Sequence, residues 1–492
     1  MKILLVYPHI PDSFWSFRYA LRFISKKASM PPLGLVTIAA MLPGEWEKRV
    51  VDLNVEGLHP GDVQWADYVF ISAMNIQRDS VGRILKACGK ANVKTVGGGP
   101  LFTQSPNAFP EIDHLILNEA EITLPLFLDD LAAGRKPSKV YSTGEYADIT
   151  KTPVPLYNLL SRKAYAYMSI QISRGCPFAC DFCEITSLLG HKVRMKETRQ
   201  VLDELEELYR QRWRGPVFIV DDNFIGNKKV IKQTLLPAMN SWMKEHRHPF
   251  IFTAEASIDL ADDDELLRLM VDTGFKSVFI GIETPEEQSL VACNKMQNKD
   301  RDLLGSVRKI QQAGLLVSGG FIVGFDTDSP SVFRRQTEFI QQSGIVSAMV
   351  GLLNAPRNTR LYHRLAEEGR IIHDSSGNNT DLSLNFIPRM DRAELIAGYN
   401  GLIKSIYAAK PYYQRIRTLL RHHRPRATQP KRINFAALLG FLRSILIIGI
   451  VEKGRFEYWK MILWALMNRP GSLVDAIEYT IYGYHFRRVF NL

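Results

Sequence analysis

The chain has 492 residues, of which 46% are hydrophobic and 23% charged, so it is too long for one ordinary domain and too apolar to be disordered. Its five cysteines do not form the paired framework of a small secreted protein, which indicates a reducing compartment. The apolar run at the N-terminus is too brief for a signal peptide. A net charge of +11 makes nucleic acid and anionic membranes candidate partners, and the position of the basic residues must decide between them.

Strands and helices alternate over the first 140 residues. Strands are predicted at residues 3–7, 48–52, 68–72, 94–96 and 114–117, and helices at 33–42, 80–90 and 124–133. Such alternation predicts an α/β unit with a doubly wound, Rossmann-like parallel sheet, whose ligands lie at the carboxyl ends of the strands. The glycine run at 97–99 would let a ligand approach the backbone closely.

A second series of strands and helices follows a Thr-Pro-Val-Pro linker at residues 152–155. Strands are predicted at 167–173, 216–220, 250–254, 277–280 and 317–323, with helices at 198–210, 265–272, 302–313 and 333–343. Polar residues collect where these strands end. Because (β/α) barrels build their sites at that edge, the pattern predicts a barrel with a site at its carboxyl face.

Three cysteines, Cys176, Cys180 and Cys183, fall within eight residues, directly after the first strand of this series. Gly175 and Pro177 break regular structure there, so the thiols are predicted to lie on a loop. A structural zinc site normally has four ligands, and no second pair of ligands is near in sequence. Thiolates are the usual ligands of a four-iron cluster, and three of them leave one iron free to bind something else.

The spacing Cys-x-x-x-Cys-x-x-Cys, with Phe182 before the last cysteine, closely resembles the signature of the radical S-adenosylmethionine (SAM) enzymes. The resemblance implies that Cys176, Cys180 and Cys183 hold a 4Fe-4S cluster and that Phe182 lies near the adenine of SAM. It also implies that SAM binds the open iron and is reductively cleaved to a 5′-deoxyadenosyl radical. The fold expected from this family is a partial (β/α)6 barrel.

Further SAM contacts follow from the order of strand ends in that family. Glu255, Ser257 and Glu283 would contact the ribose or the methionine end, and the backbone of Gly320, Ile322 and Gly324 would pack against adenine. Asp221 and Asp222 are the next candidates to line the cavity. No catalytic residue is assigned, because hydrogen abstraction by a radical needs no general base.

The N-terminal part resembles the cobalamin-binding domain that precedes many radical SAM barrels. The resemblance rests on Pro31-Pro32-Leu33-Gly34-Leu35, the strand ending at Ser72, the turn at 97–100 and Asn118-Glu119-Ala120-Glu121. It implies that Ser72, Gly98, Gly99 and Glu119 lie beside the corrin or its nucleotide tail. The Asp-x-His-x-x-Gly motif is missing, which implies cobalt without a protein histidine, and Asn-Glu-Ala-Glu replaces the usual Gly-Glu-Gly-Glu. A degenerate domain that has lost its cofactor remains the alternative.

The last hundred residues change character. Residues 415–432 are densely basic with no acid, and residues 435–451 are almost wholly apolar apart from Arg443. About 17 such residues are marginal for a spanning helix, which needs roughly 20. Two interpretations stay open and are compatible: residues 415–464 lie in the interface of an anionic membrane, or the helices cap the barrel. Nucleic acid is not expected, because no RNA-binding module accompanies the charge.

The whole chain resembles the family of the hopanoid C-2 methylase. The expected order is a cobalamin domain at 1–140, a linker at 141–160, a radical SAM barrel at 161–385 and a helical region at 386–492. The resemblance implies a cytoplasmic methyltransferase, peripheral on the inner membrane face, that methylates an unactivated carbon of a hydrophobic, hopanoid-like lipid through methylcobalamin. It further implies an electron donor such as a flavodoxin or ferredoxin.

Other classes of function remain open at this stage. The same architecture serves cobalamin-containing radical SAM enzymes that cyclise or oxidise tetrapyrroles without net methyl transfer. A methylthiotransferase would need three further cluster cysteines, which the N-terminal part lacks. A non-enzymatic binding module would require that the reduced protein does not cleave SAM.

Overall fold

The computed structural model describes residues 1–425 and 435–492. Its N-terminal part is a six-stranded parallel sheet with strand order β2-β1-β3-β4-β5-β6. The strands are β1 (Lys2–Tyr7), β2 (Glu47–Asp52), β3 (Tyr68–Ser72), β4 (Lys94–Gly98), β5 (His114–Ile116) and β6 (Val140–Tyr141). The prediction of a parallel sheet is confirmed, but β6 was missed because a two-residue strand carries almost no periodic signal.

Helices cover both faces of this sheet, as a doubly wound fold requires. One apolar core, around Val81, Ile84 and Leu101, lies under the helices of one face, and a second, around Leu35 and Leu124, lies under those of the other. The helices of this part are α1 (Arg18–Leu21), α2 (Leu33–Met41), α3 (Pro60–Trp65), α4 (Arg78–Ala91), α5 (Pro100–Gln104) and α6 (Ala120–Ala132).

The second sheet is also parallel and six-stranded, with order β14-β13-β12-β11-β10-β7, and it forms the partial barrel. A separate two-stranded antiparallel hairpin, β8 with β9, flanks it. The strands are β7 (Met168–Ile170), β8 (Ser173–Arg174), β9 (Arg194–Met195), β10 (Pro216–Ile219), β11 (Ile251–Ala256), β12 (Phe275–Glu283), β13 (Leu316–Val323) and β14 (Ala348–Leu352).

The prediction of one continuous strand over 167–173 was wrong. The buried carboxylate of Asp221 accepts hydrogen bonds from the backbone N–H of Ile172 (2.7 Å) and from Ser173 Oγ (2.6 Å). The chain therefore leaves the sheet after Ile170, because the next backbone donor is bound by a side chain instead of a neighbouring strand.

Helices surround the barrel sheet and continue into the C-terminal region. The barrel helices are α7 (Ile185–Leu189), α8 (Thr198–Arg210), α9 (Lys228–Val230), α10 (Leu236–Glu245), α11 (Asp264–Thr273), α12 (Glu287–Ala292), α13 (Leu303–Ala313), α14 (Ser331–Ser343) and α15 (Arg360–Glu367). The C-terminal helices are α16 (Arg392–Tyr407), α17 (Ala409–His422), α18 (Phe435–Leu446), α19 (Arg455–Asn468) and α20 (Leu473–Val489), with a π-helical turn at Ile447–Val451.

The C-terminal helices pack on the barrel, as the cap interpretation predicted. Arg415 of α17 is fully buried and donates to Gln341 Oε1 (2.6 Å), Ile406 O (2.8 Å) and Val346 O (3.2 Å). Among the described residues, no helix combines the length and the apolar character that crossing a bilayer requires. Part of the predicted basic segment, 426–434, lies outside the described residues.

Candidate active site

The cysteine loop lies between the two sheets and is anchored by backbone contacts. Gly175 has φ +91°, and a Cβ there would lie 2.7 Å from the carbonyl oxygen of Lys192, so only glycine fits. The N–H of Cys176 donates to Gly190 O (3.2 Å) and the N–H of Asp181 donates to Cys293 O (3.0 Å). These contacts hold the start and the middle of the loop, and the three thiols form no disulfide and are partly exposed.

Two polar side chains approach the thiols from the segment after α12. Gln297 Nε2 lies 3.7 Å from Cys180 Sγ, and the ammonium group of Lys295 interacts electrostatically with Cys180 and Cys183. Burial raises the pKa of the Cys183 thiol to about 12, while Lys295 acts in the opposite direction. A positive charge beside the loop favours thiolates, which are the form that binds iron.

The residues of the loop fit a four-iron cluster better than a single metal ion. Within residues 1–425 and 435–492, no three His, Cys, Asp or Glu side chains converge closely enough to hold one ion. A cubane instead takes its three thiolates through three different irons, so the sulfurs stand farther apart than the ligands of one zinc. Three free thiols on one loop, with a neighbouring cation, match that requirement.

Acidic residues occupy the carboxyl ends of β10 and β11, where Asp221 is buried and Asp222 and Glu255 are half-buried. Burial, reinforced by the charge of Asp221, raises the pKa of Asp222 to about 7. Burial, with Asp222 as the second cause, raises the pKa of Glu255 to about 8. Ser257 is bound to Asn223, whose amide Nδ2 donates to Ser257 Oγ (3.2 Å). Carboxyl groups with such shifts at a barrel mouth are typical of a functional site. Asp221 was wrongly predicted to line the cavity, since both its oxygens are used in the core.

Glu283 ends β12 in a strained conformation, with φ +64°. Asn298 Nδ2 supports the irregular backbone there by donating to Gly281 O (3.1 Å) and Ile282 O (3.0 Å). The Glu283 carboxylate accepts a hydrogen bond from Lys295 Nζ (2.8 Å), and both side chains are nearly buried. Strain held in this way is common at ligand sites, and here it brings a predicted SAM contact next to the cation that faces the cysteines.

The predicted adenine contacts lie at the same face of the barrel. Phe182 packs edge-on against Phe325 (6.2 Å between ring centroids) and joins an apolar cluster that includes Ile322. Gly324, the residue after β13, has φ +104°. A Cβ on Gly320 would lie 2.9 Å from the ring of Phe279, so a larger residue there would require that ring to move.

The predicted cobalamin contacts lie together at the carboxyl edge of the N-terminal sheet. Gly99 has φ +89°, and a Cβ there would lie 3.0 Å from Ser72 Oγ. A Cβ on Gly98 would lie 3.1 Å from the carbonyl oxygen of Ile116. Glu119 Oε1 is buried without a hydrogen-bond partner among the described residues, whereas Oε2 is used in ion pairs. A glycine-lined edge with an unsatisfied acceptor fits a large polar ligand that approaches the backbone.

Sequence reasoning missed several residues that connect the two halves of the site. Arg174, just before the cysteine loop, pairs with Glu119 and Glu121, and Gln104 donates to Glu184 just after it. Lys295 was also missed. Their only signals in the sequence were adjacency to the cysteines and the two acids in Asn-Glu-Ala-Glu. Cys88 is buried in the N-terminal core, where it packs in an apolar cluster that contains no residue of the cysteine loop.

Comparisons with known proteins agree with this geometry. A model of the radical SAM superfamily matches residues 170–339, and a domain of unknown function (DUF4070) matches residues 359–492. An uncharacterized methyltransferase of Synechocystis sp. is 41% identical over 99% of this chain and 91% of its own length. The hopanoid C-2 methylase of Rhodopseudomonas palustris is 32% identical over 98% of this chain and 92% of its own length.

The same fold occurs in a solved structure. OxsB, described as a cobalamin-dependent S-adenosylmethionine radical enzyme with aqua-cobalamin and S-adenosylmethionine bound, superposes with a TM-score of 0.63. The match covers 99% of this chain and 80% of OxsB at 14% identity, so it establishes the fold alone. The chain belongs to the radical SAM methyltransferase family that includes the hopanoid C-2 methylase, and it has the fold of cobalamin-dependent radical SAM enzymes.

Proposed function

We propose that this protein is a cobalamin-dependent methyltransferase that methylates an unactivated carbon of a hydrophobic, hopanoid-like lipid. The observation that carries the proposal is the 32% identity to the hopanoid C-2 methylase over nearly the whole of both chains. A match of that extent spans the regions of the cysteine loop, the glycine edge and the C-terminal helices. It therefore supports a shared chemistry together with a shared class of substrate.

The residues have separable tasks in this reaction. Cys176, Cys180 and Cys183 would hold the cluster, while Gly99 and its neighbours would accept cobalamin at the edge of the N-terminal sheet. When bound, cluster, SAM and cobalamin together supply a radical that abstracts hydrogen and a methyl group that replaces it. The chain's own side chains would orient the ligands, because Asp222 and Glu255 lie half-buried at the barrel mouth.

A hydrophobic substrate suggests contact with the cytoplasmic face of the membrane. Leu438, Leu442, Leu446 and Ile450 repeat every fourth residue and are about half exposed, and Phe456 is 68% exposed. Arg443 interrupts the apolar sequence but points away from this face, since it donates to Arg22 O (2.7 Å) and Phe23 O (3.1 Å). Exposed cations at Lys453, Arg455 and Lys460 flank the apolar face, which favours an anionic bilayer surface.

Vesicle flotation tests the membrane contact. The protein should float with vesicles that contain phosphatidylglycerol and stay behind with pure phosphatidylcholine. Phe456→Glu should weaken flotation about tenfold, because it introduces a charge into the apolar face. The matched control Leu126→Glu changes an exposed leucine on α6, a helix that packs on the N-terminal sheet. Equal flotation of both variants would contradict the proposed face.

The reaction is tested anaerobically with the reconstituted protein. Iron, sulfide and cobalamin are measured first, followed by 5′-deoxyadenosine formation from SAM and transfer of a deuterated methyl group to a hopanoid. Label in the product, with loss of one substrate hydrogen, is expected. SAM cleavage with a substrate that loses hydrogen but gains no label would contradict methyl transfer and point to a cyclase or oxidase. An electron donor such as a flavodoxin or ferredoxin should replace the chemical reductant.

A further inference from the structure

Both ends of the cysteine loop are tied to the N-terminal sheet. Arg174 lies two residues before Cys176, and its guanidinium donates to Glu119 Oε2 (2.7 Å) and to both oxygens of Glu121 (2.7 and 3.0 Å). At the other end, Glu184 follows Cys183 directly and accepts a hydrogen bond from Gln104 Nε2 (2.6 Å). We call Arg174, Glu119, Glu121, Gln104 and Glu184 the junction residues.

The junction residues of the N-terminal part lie at the carboxyl edge of its sheet, where cobalamin is predicted to bind. Glu119 and Glu121 begin α6, directly after β5, and Gln104 ends α5, the helix that follows Gly99. The junction residues thus connect the loop that would hold the cluster to the two connections that border the glycine edge. A second arginine, Arg194 of the β8–β9 hairpin, also donates to Glu119 (2.8 Å).

The geometry of this junction is well defined because its charges are buried and matched. The side chains of Glu119, Glu121 and Arg174 are exposed by only 5%, 11% and 12%. Burial alone would raise the pKa of Glu121, but hydrogen bonds and charge from Arg174 outweigh it and lower the pKa. Buried ion pairs add little net stability compared with apolar packing, whereas a bidentate arginine fixes distance and orientation.

We propose that the junction residues are positioning residues that fix the cluster loop relative to the cobalamin edge, so that radical formation and methyl donation stay aligned on one substrate. This proposal rests on the proposed function. Radical formation needs only the barrel side, whereas methylation needs both sides at a fixed separation. Loosening the junction should therefore leave SAM cleavage intact and reduce the fraction of radicals that lead to product.

Two variants test the proposal from opposite sides of the junction. Glu121→Gln removes a negative charge that pairs with Arg174, at a position far in sequence from the cysteines. Arg174→Gln removes the guanidinium group itself. Each should raise the ratio of 5′-deoxyadenosine to methylated product about fivefold, the change that ~1 kcal/mol of lost alignment produces. The double variant should be no worse than Arg174→Gln alone, because Arg174→Gln already removes the contact with Glu121 as well as the contact with Glu119. Arg199→Gln, an exposed ion-pair residue on α8, is the matched control.

A spectroscopic measurement tests this proposal without any substrate, so its result does not depend on which substrate the protein uses. In protein loaded with cobalamin and reduced cluster, pulsed EPR measures the distance between the cob(II)alamin and cluster spins without any turnover. Glu121→Gln should broaden this distance distribution at unchanged iron content, and Arg199→Gln should not. An unchanged distribution, or loss of the cluster in Glu121→Gln, would overturn the proposal. Absence of cobalamin from the wild-type protein would instead overturn the proposed function.

Discussion

Of the acids at the barrel mouth, Glu255 at the end of β11 has the highest pKa, so its ionisation costs the folded state the most free energy. Its pKa is raised to about 8 by burial and, secondarily, by Asp222. The change Glu255→Gln keeps the size and shape of the side chain and removes the ionisation. Between pH 4.5 and pH 8 the folded protein holds more protons on this group than the unfolded chain does, so stability falls as pH rises through that window.

The size of the effect follows from the two pKa values. With pKa values of about 8 when folded and 4.5 when unfolded, ionisable Glu255 costs the folded state about 4 kcal/mol at pH 8 and about 1 kcal/mol at pH 5, relative to a neutral isostere. Glu255→Gln should therefore stabilise the ligand-free protein by about 3 kcal/mol more at pH 8 than at pH 5. For a chain of this length that is about 3 °C in Tm.

Thermal unfolding at a fixed scan rate, at pH 5 and at pH 8, measures this difference. The matched control is Glu367→Gln, an exposed acid on α15, which should shift Tm equally at both pH values. The stabilised variant should also lose SAM cleavage, since Glu255 is a predicted SAM contact. A Tm gain that is the same at both pH values, or a Tm loss at pH 8, would refute the assignment of a destabilising buried acid.

Three further predictions concern other parts of the structure. Cys176→Ala should lose cluster iron and SAM cleavage, whereas Cys88→Ala, in the N-terminal core, should keep both by iron and sulfide analysis. Gly99→Val should lower cobalamin affinity at least about tenfold, ~1.4 kcal/mol, at unchanged iron content, because φ +89° and the neighbouring side chain exclude a Cβ. Arg415→Met should cost about 2–4 kcal/mol, since three buried acceptors lose their donor; thermal unfolding against the exposed control Arg424→Met measures it.

Much of the fold could be predicted because its signals are local. Alternating apolar periods of strand and helix predicted both parallel sheets, but β6, β14, helix α10 and the break after Ile170 were missed. The cysteine loop could also be predicted as a cluster site, because its three cysteines lie within eight residues of one another. The domain boundaries and the individual SAM and cobalamin contacts stay predictions.

The sequence by itself determined the chemistry of the loop and the order of the elements, since spacing along a chain is enough to define both. Only the tertiary structure decided which distant charges meet. Arg174 and Glu119 are 55 residues apart, and nothing periodic connects them. It also decided that Arg443 turns inward while Leu442 and Leu446 remain exposed. The physical reason is that long-range ion pairs and exposed faces depend on how whole sheets and helices pack, which the local pattern of any one segment does not contain.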